Sequence, residues 1–366
     1  MEITVKKEEI VSALNITLGV VEKRHTLPIL ANVLFEVEDN LFKLTATDLE
    51  SEVTTSGSLI SSESSGKITT SAKKLNELCR LIPDGEEIKI SFKADKLNIK
   101  TEKGKYSLST LPSSDFPIFD IDSGDTPIVI PAKDLQQLIK DTSFSMGNGD
   151  WRHHLNGLYV SIDAGQITAA STDAHRLAVG NIPVDSELSF SGIIPRKSIN
   201  EILKFLSDQS GDAALKINDA SLELAVGNII FKSKLIDGKF PDYEQVIPSG
   251  ESFVLEVNVK DFSETLSRVS VLSGEKNKGI RLITSPEGVK LLTNKNAEQE
   301  EAEEFFPAPY HGEDLDIVFN VTYLQEIMSH MRTDECHINF FGTDKSCLVI
   351  PPGGNGPKYV VMPLLI

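Results

Sequence analysis

HHLNGLYVSIDAGQITAASTDAHRLAV, residues His153 to Val179, runs as an apolar strand, a turn, a second strand and a Ser/Thr/Asp corner. Its alternation of apolar and polar residues is that of antiparallel strands with one face buried. The same succession occurs twice more, as PILANVLFEVEDNLFKLTATDLESEV from Pro28 and KGIRLITSPEGVKLLTNKNAEQEEAEE from Lys278. Leu30, Leu155 and Ile280 hold equivalent places, each 125 residues from the next. A fixed period of that length marks a repeated structural unit, and it decides how the rest of the chain is read.

Working outward, helical segments repeat with the strands. KKLNELCRLI from Lys73, KSINEILKFL from Lys197 and TYLQEIMSHM from Thr322 place apolar residues at i, i+3 and i+7. Each unit opens on a strand that leads into a helix, in ITVKKEEIVSALNIT, IVIPAKDLQQLIKDT and LEVNVKDFSETLSRV. Two stretches, Asp115 to Pro127 and Lys239 to Ser252, join Phe-Pro to acidic, Gly and Ser residues in the manner of linkers. The chain therefore divides into three domains, residues 1–121, 126–248 and 250–366, each reading strand, helix, several strands, helix, strands. Glu87 to Leu111 alternates as antiparallel strands would, so the class is α+β, with two helices per domain on one face of the sheets.

The totals agree. A chain of 366 residues exceeds one ordinary core and suits two or three domains. It is 40% hydrophobic and 25% charged, with no apolar run near the roughly 18 residues of a membrane span. The start, MEITVKKEEI, lacks the basic-then-apolar layout of an export signal, so a cytoplasmic location is expected. Cys79, Cys336 and Cys347 have neither the number nor the spacing of a disulfide framework or a zinc site and read as buried small side chains. A net charge of −18 argues against a protein that grips nucleic acid by wrapping it in positive surface.

Ser171, Asp173 and His175 invite a second reading, a hydrolytic triad. That chemistry needs the imidazole between hydroxyl and carboxylate. On an extended strand these residues share a face at steps of about 6.6 Å with the aspartate in the middle, which is the wrong order. The equivalent stretches TATDLE and TNKNAE lack the histidine, so the shared Asp/Asn reads as a turn former. No catalytic residue, metal ligand or cofactor is expected; adjacent His153 and His154 do not readily point at one metal ion. A purely structural repeat protein is the third reading.

The chain resembles the bacterial β sliding clamps, the processivity subunits of DNA polymerase III. The likeness is carried by TLPILANVLFEV at Thr26, TATDLE at Thr45, STLPSSDFP at Ser109, LNGLYV at Leu155, TDAHRLAV at Thr172, PRKSINEI at Pro195, SKLIDGKFPDYEQVIP at Ser233, NAEQEEAEE at Asn296 and YVVMPLLI at Tyr359. It implies a head-to-tail homodimer of six domains around a hole, helices inward and sheets outward. Twelve helices about 10 Å apart occupy a circle of about 120 Å and leave an opening of about 28 Å, enough for duplex DNA with water around it. Such a ring holds DNA by topology, so only a weak attraction to phosphate is needed and an acidic exterior is tolerated.

The resemblance also implies residues. Arg24, Arg152, Arg196 and Lys197 would meet double-stranded DNA without regard to its sequence. The loop from Met146 to His154 departs from the family's pattern, and Trp151 in it reads by itself as stacking on a base or anchoring the loop. A groove formed by Leu155, Thr172, His175, Arg176, Leu177, Pro241, Val246, Val360, Met362, Pro363 and Leu364 would take a short apolar and acidic peptide from the clamp loader or from replicative and repair polymerases. Its apolar pockets would hold the anchors, while Arg176 and His175 would offer polar contacts at the rim. Ala174 stands where the family commonly has glycine. At the subunit junction, Glu298, Glu300, Glu301, Glu303 and Glu304 would face Lys74, Lys103 and Lys105 of the other copy, and Tyr106 and Leu108 would pack against Val271 and Leu272. The alternative for these four apolar residues is a place in their own domains' cores.

Overall fold

Strand leads into helix three times by one device. The structure, a computed structural model, describes residues 2–21, 27–93, 95–119, 127–207, 209–274, 278–293 and 300–364. In the first repeat β1 (Glu2–Lys6) runs into α1 (Lys7–Thr17); β2 (Asn32–Glu38), β3 (Leu41–Thr47), β4 (Ser51–Ser58), β5 (Ser61–Ser64) and β6 (Gly66–Ser71) follow, then α2 (Ala72–Leu81), β7 (Glu87–Lys93), β8 (Lys96–Lys100) and β9 (Lys105–Leu111). The second comprises β10 (Ile128–Pro131), α3 (Ala132–Ser143), β11 (Gly157–Asp163), β12 (Gln166–Thr172), β13 (Arg176–Pro183), β14 (Phe190–Pro195), α4 (Arg196–Ser207), β15 (Asp212–Ile217), β16 (Ser221–Val226) and β17 (Ile229–Lys234). The third comprises β18 (Phe253–Asn258), α5 (Val259–Ser270), β19 (Gly279–Ser285), β20 (Gly288–Thr293), β21 (Glu303–Pro307), β22 (Tyr310–His311), β23 (Asp316–Asn320), α6 (Val321–His330), β24 (Glu335–Phe340), β25 (Cys347–Ile350) and β26 (Lys358–Val361). At the first residue of α1, α3 and α5 the backbone N–H donates to Glu86, Gly211 and Asp334 carbonyls, at 3.1, 3.0 and 2.9 Å. A tertiary bond thus satisfies one of the orphan donors of each helix start. Ser71, Asn258 and Asn320 add side-chain caps to α2, α5 and α6.

All described strand pairings are antiparallel, and the sheets cross the repeat boundaries. One compact unit comprises residues 1–135 and 200–235, the other residues 136–199 and 236–366. The first unit holds a 13-stranded sheet in the order β10-β15-β16-β17-β4-β3-β2-β6-β9-β8-β7-β1-β5. There β17 of the second repeat pairs with β4 of the first, Phe231 opposite Val53. The second unit holds a nine-stranded sheet, β14-β11-β12-β13-β26-β25-β24-β18-β22, and a four-stranded one, β21-β20-β19-β23. In it β13 pairs with β26, Leu177 opposite Val360.

The β13/β26 junction is buried on both faces, and the pleat sorts its side chains. Ala178, Tyr359 and Val361 join the core of the third repeat with Phe262, Leu324 and Phe340. Their neighbours Leu177, Val179 and Val360 face the other way, onto Phe240, Ile193 and Ala170. The segment read as a linker is what covers this second face: Tyr243, Val246 and Ile247 pack there. The first such segment is likewise tied down, with Phe116 and Phe119 buried and the Phe119 N–H donating to Glu52 at 2.9 Å. All three cysteines are buried, and burial pushes the Cys79 and Cys336 thiols up to about 12, so they behave as small apolar groups. No helix among the described residues is long and apolar enough to cross a membrane.

Candidate functional site

The Ser/Thr/Asp corner is a turn, built twice from the same bonds. In the first repeat Thr47 Oγ1 donates to Ser51 O (2.8 Å) and accepts from Leu49 N (3.1 Å), while Asp48 Oδ1 accepts from Glu50 N (2.9 Å) and Ser51 N (2.6 Å). In the second, Thr172 Oγ1 donates to Arg176 O (2.5 Å) and accepts from Ala174 N (3.0 Å), and Asp173 Oδ1 accepts from His175 N (2.9 Å) and Arg176 N (3.1 Å). Asp173 is occupied in holding the backbone, as its turn-forming chemistry predicts. Ser171 is buried and donates to Thr142 O, and His175 is exposed, so the three do not assemble into a relay. The third copy of the corner, from Asn294, lies outside the described residues.

Both turns place a residue with a side chain in the left-handed region, Leu49 and Ala174, each at φ 74°. That conformation costs an L-residue about 1–2 kcal/mol, which glycine does not pay, although glycine also loosens the unfolded chain by about 0.5–1 kcal/mol. Ala174→Gly therefore raises stability by about 0.5 kcal/mol, and Ala174→Val lowers it; urea unfolding of the two variants beside the parent checks the sign.

Arg176 requires a correction. Read as a rim contact, it is in fact 9% exposed. Its Nε donates to Asp173 Oδ2 at 3.0 Å, Nη2 to Phe144 O at 3.0 Å and Nη1 to Glu326. The guanidinium lies 4.5 Å from the Tyr323 ring centroid and 5.5 Å from that of Phe144. A planar fork with five donors suits this place, where it joins the end of α3, the turn and α6. The polar edge is left to His175, whose carbonyl accepts from Met362 N at 2.9 Å and so fixes the chain as it leaves β26. Two residues on, Leu364 N donates to Val318 O at 2.8 Å.

The expected groove residues are brought together in part. Leu177 and Val360 are buried side by side, and Val246 packs on them. Met362, Pro363, Leu364 and Thr172 are half-buried, and Pro241 is exposed. Leu155, 1% exposed, belongs to the interior. Sequence reasoning missed the aromatic bed beneath: Tyr159 stacks on Phe240 at 4.9 Å, and Tyr243 meets Tyr159 at 5.9 Å. Leu348, cross-strand partner of Val360, was missed as well. The result is a strip of half-buried apolar side chains, Tyr243, Val246, Leu348 and Met362, beside an exposed histidine.

Arginine side chains shape the neighbouring loop. Arg152 grips Asp150 with two hydrogen bonds, Nε at 3.0 Å and Nη2 at 2.8 Å, which pull the Asp150 carboxyl down to about 2. Asn156 braces the loop from below, accepting from Asp150 N and donating to Asp150 O. Trp151 is 82% exposed with the Arg152 guanidinium 5.8 Å from its ring, so it does not anchor the loop. Arg196, expected to meet DNA, is engaged within the chain: its Nη1 donates to the carbonyls of Met146 and Gly147, at 2.8 and 3.1 Å. Lys197 beside it is exposed. Arg24 lies outside the described residues.

The expected junction residues are not core. Val271 is 77% and Tyr106 42% exposed, and Leu108 and Leu272 are half-buried. Leu81, at 85% the most exposed large apolar side chain among the described residues, was missed because the helical pattern gives no sign of which face lacks a neighbour. Lys74, Lys103 and Lys105 are exposed. In the acidic run Glu304 accepts from Arg268 Nε at 3.1 Å and Glu303 from Lys290 Nζ at 2.7 Å, and Glu300 and Glu301 are exposed. Glu298 lies outside the described residues. Over Lys105–Ser109, β9 pairs with β8 on one edge, its pairing with β6 being confined to Thr110 and Leu111; β21 pairs with β20.

Comparison with known proteins gives these features a common context. Models of the N-terminal, central and C-terminal domains of the DNA polymerase III beta subunit match residues 1–120, 129–242 and 244–365. The beta sliding clamp of Pseudomonas putida is 37% identical over 366 residues, and that of Escherichia coli 34% over 365, both across 100% of each chain. The crystal structure of the DNA polymerase III subunit beta from Pseudomonas aeruginosa matches with a TM-score of 0.96 at 36% identity over 100% of both chains. With all three family domains in order and relatives aligned from end to end, this chain belongs to the DNA polymerase III beta subunit family.

Proposed function

We propose that two copies of this chain close head to tail into a ring around duplex DNA and tether polymerases to it for processive synthesis. The observation that carries the reading is the succession of three family domains along a chain whose relatives, named beta sliding clamps, match it over their whole length. The domains take residues 1–121, 126–248 and 250–366. The protein works without catalysis or cofactor, in the cytoplasm, and the clamp loader and replicative and repair polymerases are its partners.

The geometry supports a division of labour. Arg24, Arg152 and Lys197 are assigned sequence-blind attraction to phosphate, Arg152 from a loop position that Asp150 fixes, and Arg196 holds the loop that carries Arg152 and Trp151. The half-buried strip beside His175 receives the apolar anchors of a partner peptide, each worth about 1.5–3 kcal/mol. Among the described residues β9 over Lys105–Ser109 and β21 each have one edge without a strand partner, which lets the sheets of two copies continue into one another. Lys74, Lys103 and Lys105 then face the acidic run Glu298, Glu300, Glu301, Glu303 and Glu304, setting orientation more than strength. Analytical ultracentrifugation tests closure: at micromolar concentration the chain sediments as a dimer, and a monomer alone would contradict the ring.

A further inference from the structure

Beside the exposed Leu81 the surface of the first compact unit hollows into a concavity of about 510 Å³. Its apolar wall is Leu78, Leu81, Ile82 and Tyr106, and its floor is the loop from Pro83 to Glu86. This loop carries Gly85 at φ 79° and has no strand partner of its own, so its shape depends on what holds it. The first turn of α1 does so three times. Lys7 N donates to Glu86 O at 3.1 Å, Gly85 N donates to Glu8 Oε1 at 2.6 Å, and Lys7 Nζ is bonded to Asp84. Lys7 is 9% exposed, unusual for a lysine, while the Asp84 side chain that it reaches is 90% exposed. A buried stem with its ammonium delivered to a surface loop fixes the loop to the helix.

The hold passes onward. Glu86 Oε1 accepts from Glu102 N at 2.6 Å, linking the loop to the turn that starts β9. Within that turn Tyr106 lies across Gly104, where a Cβ would come within 2.5 Å of the tyrosine hydroxyl. Hydrogen bonds thus link α1 to the loop and the loop to the turn on which Tyr106 packs.

We propose that Lys7 and Glu8 are positioning residues for ring closure, fixing the wall of a socket that receives Val271 and Leu272 of a second copy. The proposal rests on the head-to-tail reading. The occupant is argued from continuity: the socket adjoins the open edge of β9, and Val271, 77% exposed at the end of α5, is an apolar knob left uncovered by its own chain. The three pins add no contact to the second copy; they remove the entropy of ordering the loop at the moment of association.

The test is the dimer dissociation constant of the full chain, from sedimentation at several concentrations, for the parent, Lys7→Met, Glu8→Ala, Asp84→Asn, Lys7→Arg and the Lys7→Met/Asp84→Asn pair. Asp84 is exposed, so its replacement removes a pin without endangering the fold. The expected result is a rise of about tenfold for Lys7→Met and for Asp84→Asn, no further rise when they are combined, a comparable rise for Glu8→Ala and near-parental closure for Lys7→Arg. Unfolding midpoints measured where every variant is monomeric should coincide. Unchanged dissociation constants in a dimeric parent would overturn the proposal and leave the ring standing, as would additive effects that track lost monomer stability. A monomeric parent would overturn the ring reading itself.

Discussion

Replacing Val271 and Leu272 together by aspartate leaves the chain monomeric at concentrations up to about a thousand times that at which the parent chain begins to close. Each side chain is expected to contribute about 1.5–3 kcal/mol on entering an apolar socket, and a carboxylate in its place must be desolvated without a partner. A loss of about 4 kcal/mol raises the dissociation constant about a thousandfold. Val271 is 77% exposed in the single chain, so the fold loses little at that position; Leu272 is half-buried, and a circular dichroism spectrum like the parent's confirms that the effect is on closure. Sedimentation velocity reads the result. A double variant that still closes at the parental concentration would remove this knob from the junction.

Arg176→Ala is expected to destabilise the second compact unit by about 2 kcal/mol: the guanidinium is buried, but the Glu326 side chain is 41% exposed, so water screens the carboxylate left behind. Glu326 loses its cation, the Phe144 carbonyl loses a donor, and two aromatic faces lose the guanidinium stacked on them. Arg176→Lys recovers only a fraction, because an ammonium cannot serve Asp173, Glu326 and Phe144 in one plane. Both variants also weaken binding of a partner peptide, since the turn that Arg176 secures holds Met362 through the His175 carbonyl. The urea midpoint and a peptide titration check the two effects, and an alanine variant as stable as the parent would show that the network contributes nothing.

The threefold plan was legible because a period of 125 residues survives substitution: each unit opens on a strand entering a helix, the first two carry a Thr-Asp turn, and these rest on local chemistry. Thr47/Asp48 and Thr172/Asp173 make the same bonds, so the turn reading of the corner could be reached without coordinates. What joins one unit to the next was not legible. Phe231 meets Val53 and Leu177 meets Val360 across about 180 residues, and no turn residue announces such a ladder. Arg176 was misplaced for the same reason: its partner Glu326 is 150 residues away, and an arginine after a turn looks like surface until that partner is found. The Phe-Pro segments looked like linkers because they carry Gly, Ser and acidic residues, yet Phe240 and Tyr243 show that one of them roofs the apolar face beneath.

The central claim is capture by topology, and retention on circular against linear DNA measures it. After loading on a nicked plasmid and transfer to salt high enough to screen phosphate contacts, the chain should remain with the circle and be lost within minutes once a single cut makes the DNA linear. Equal loss from circle and line, or equal retention on both, would contradict the account.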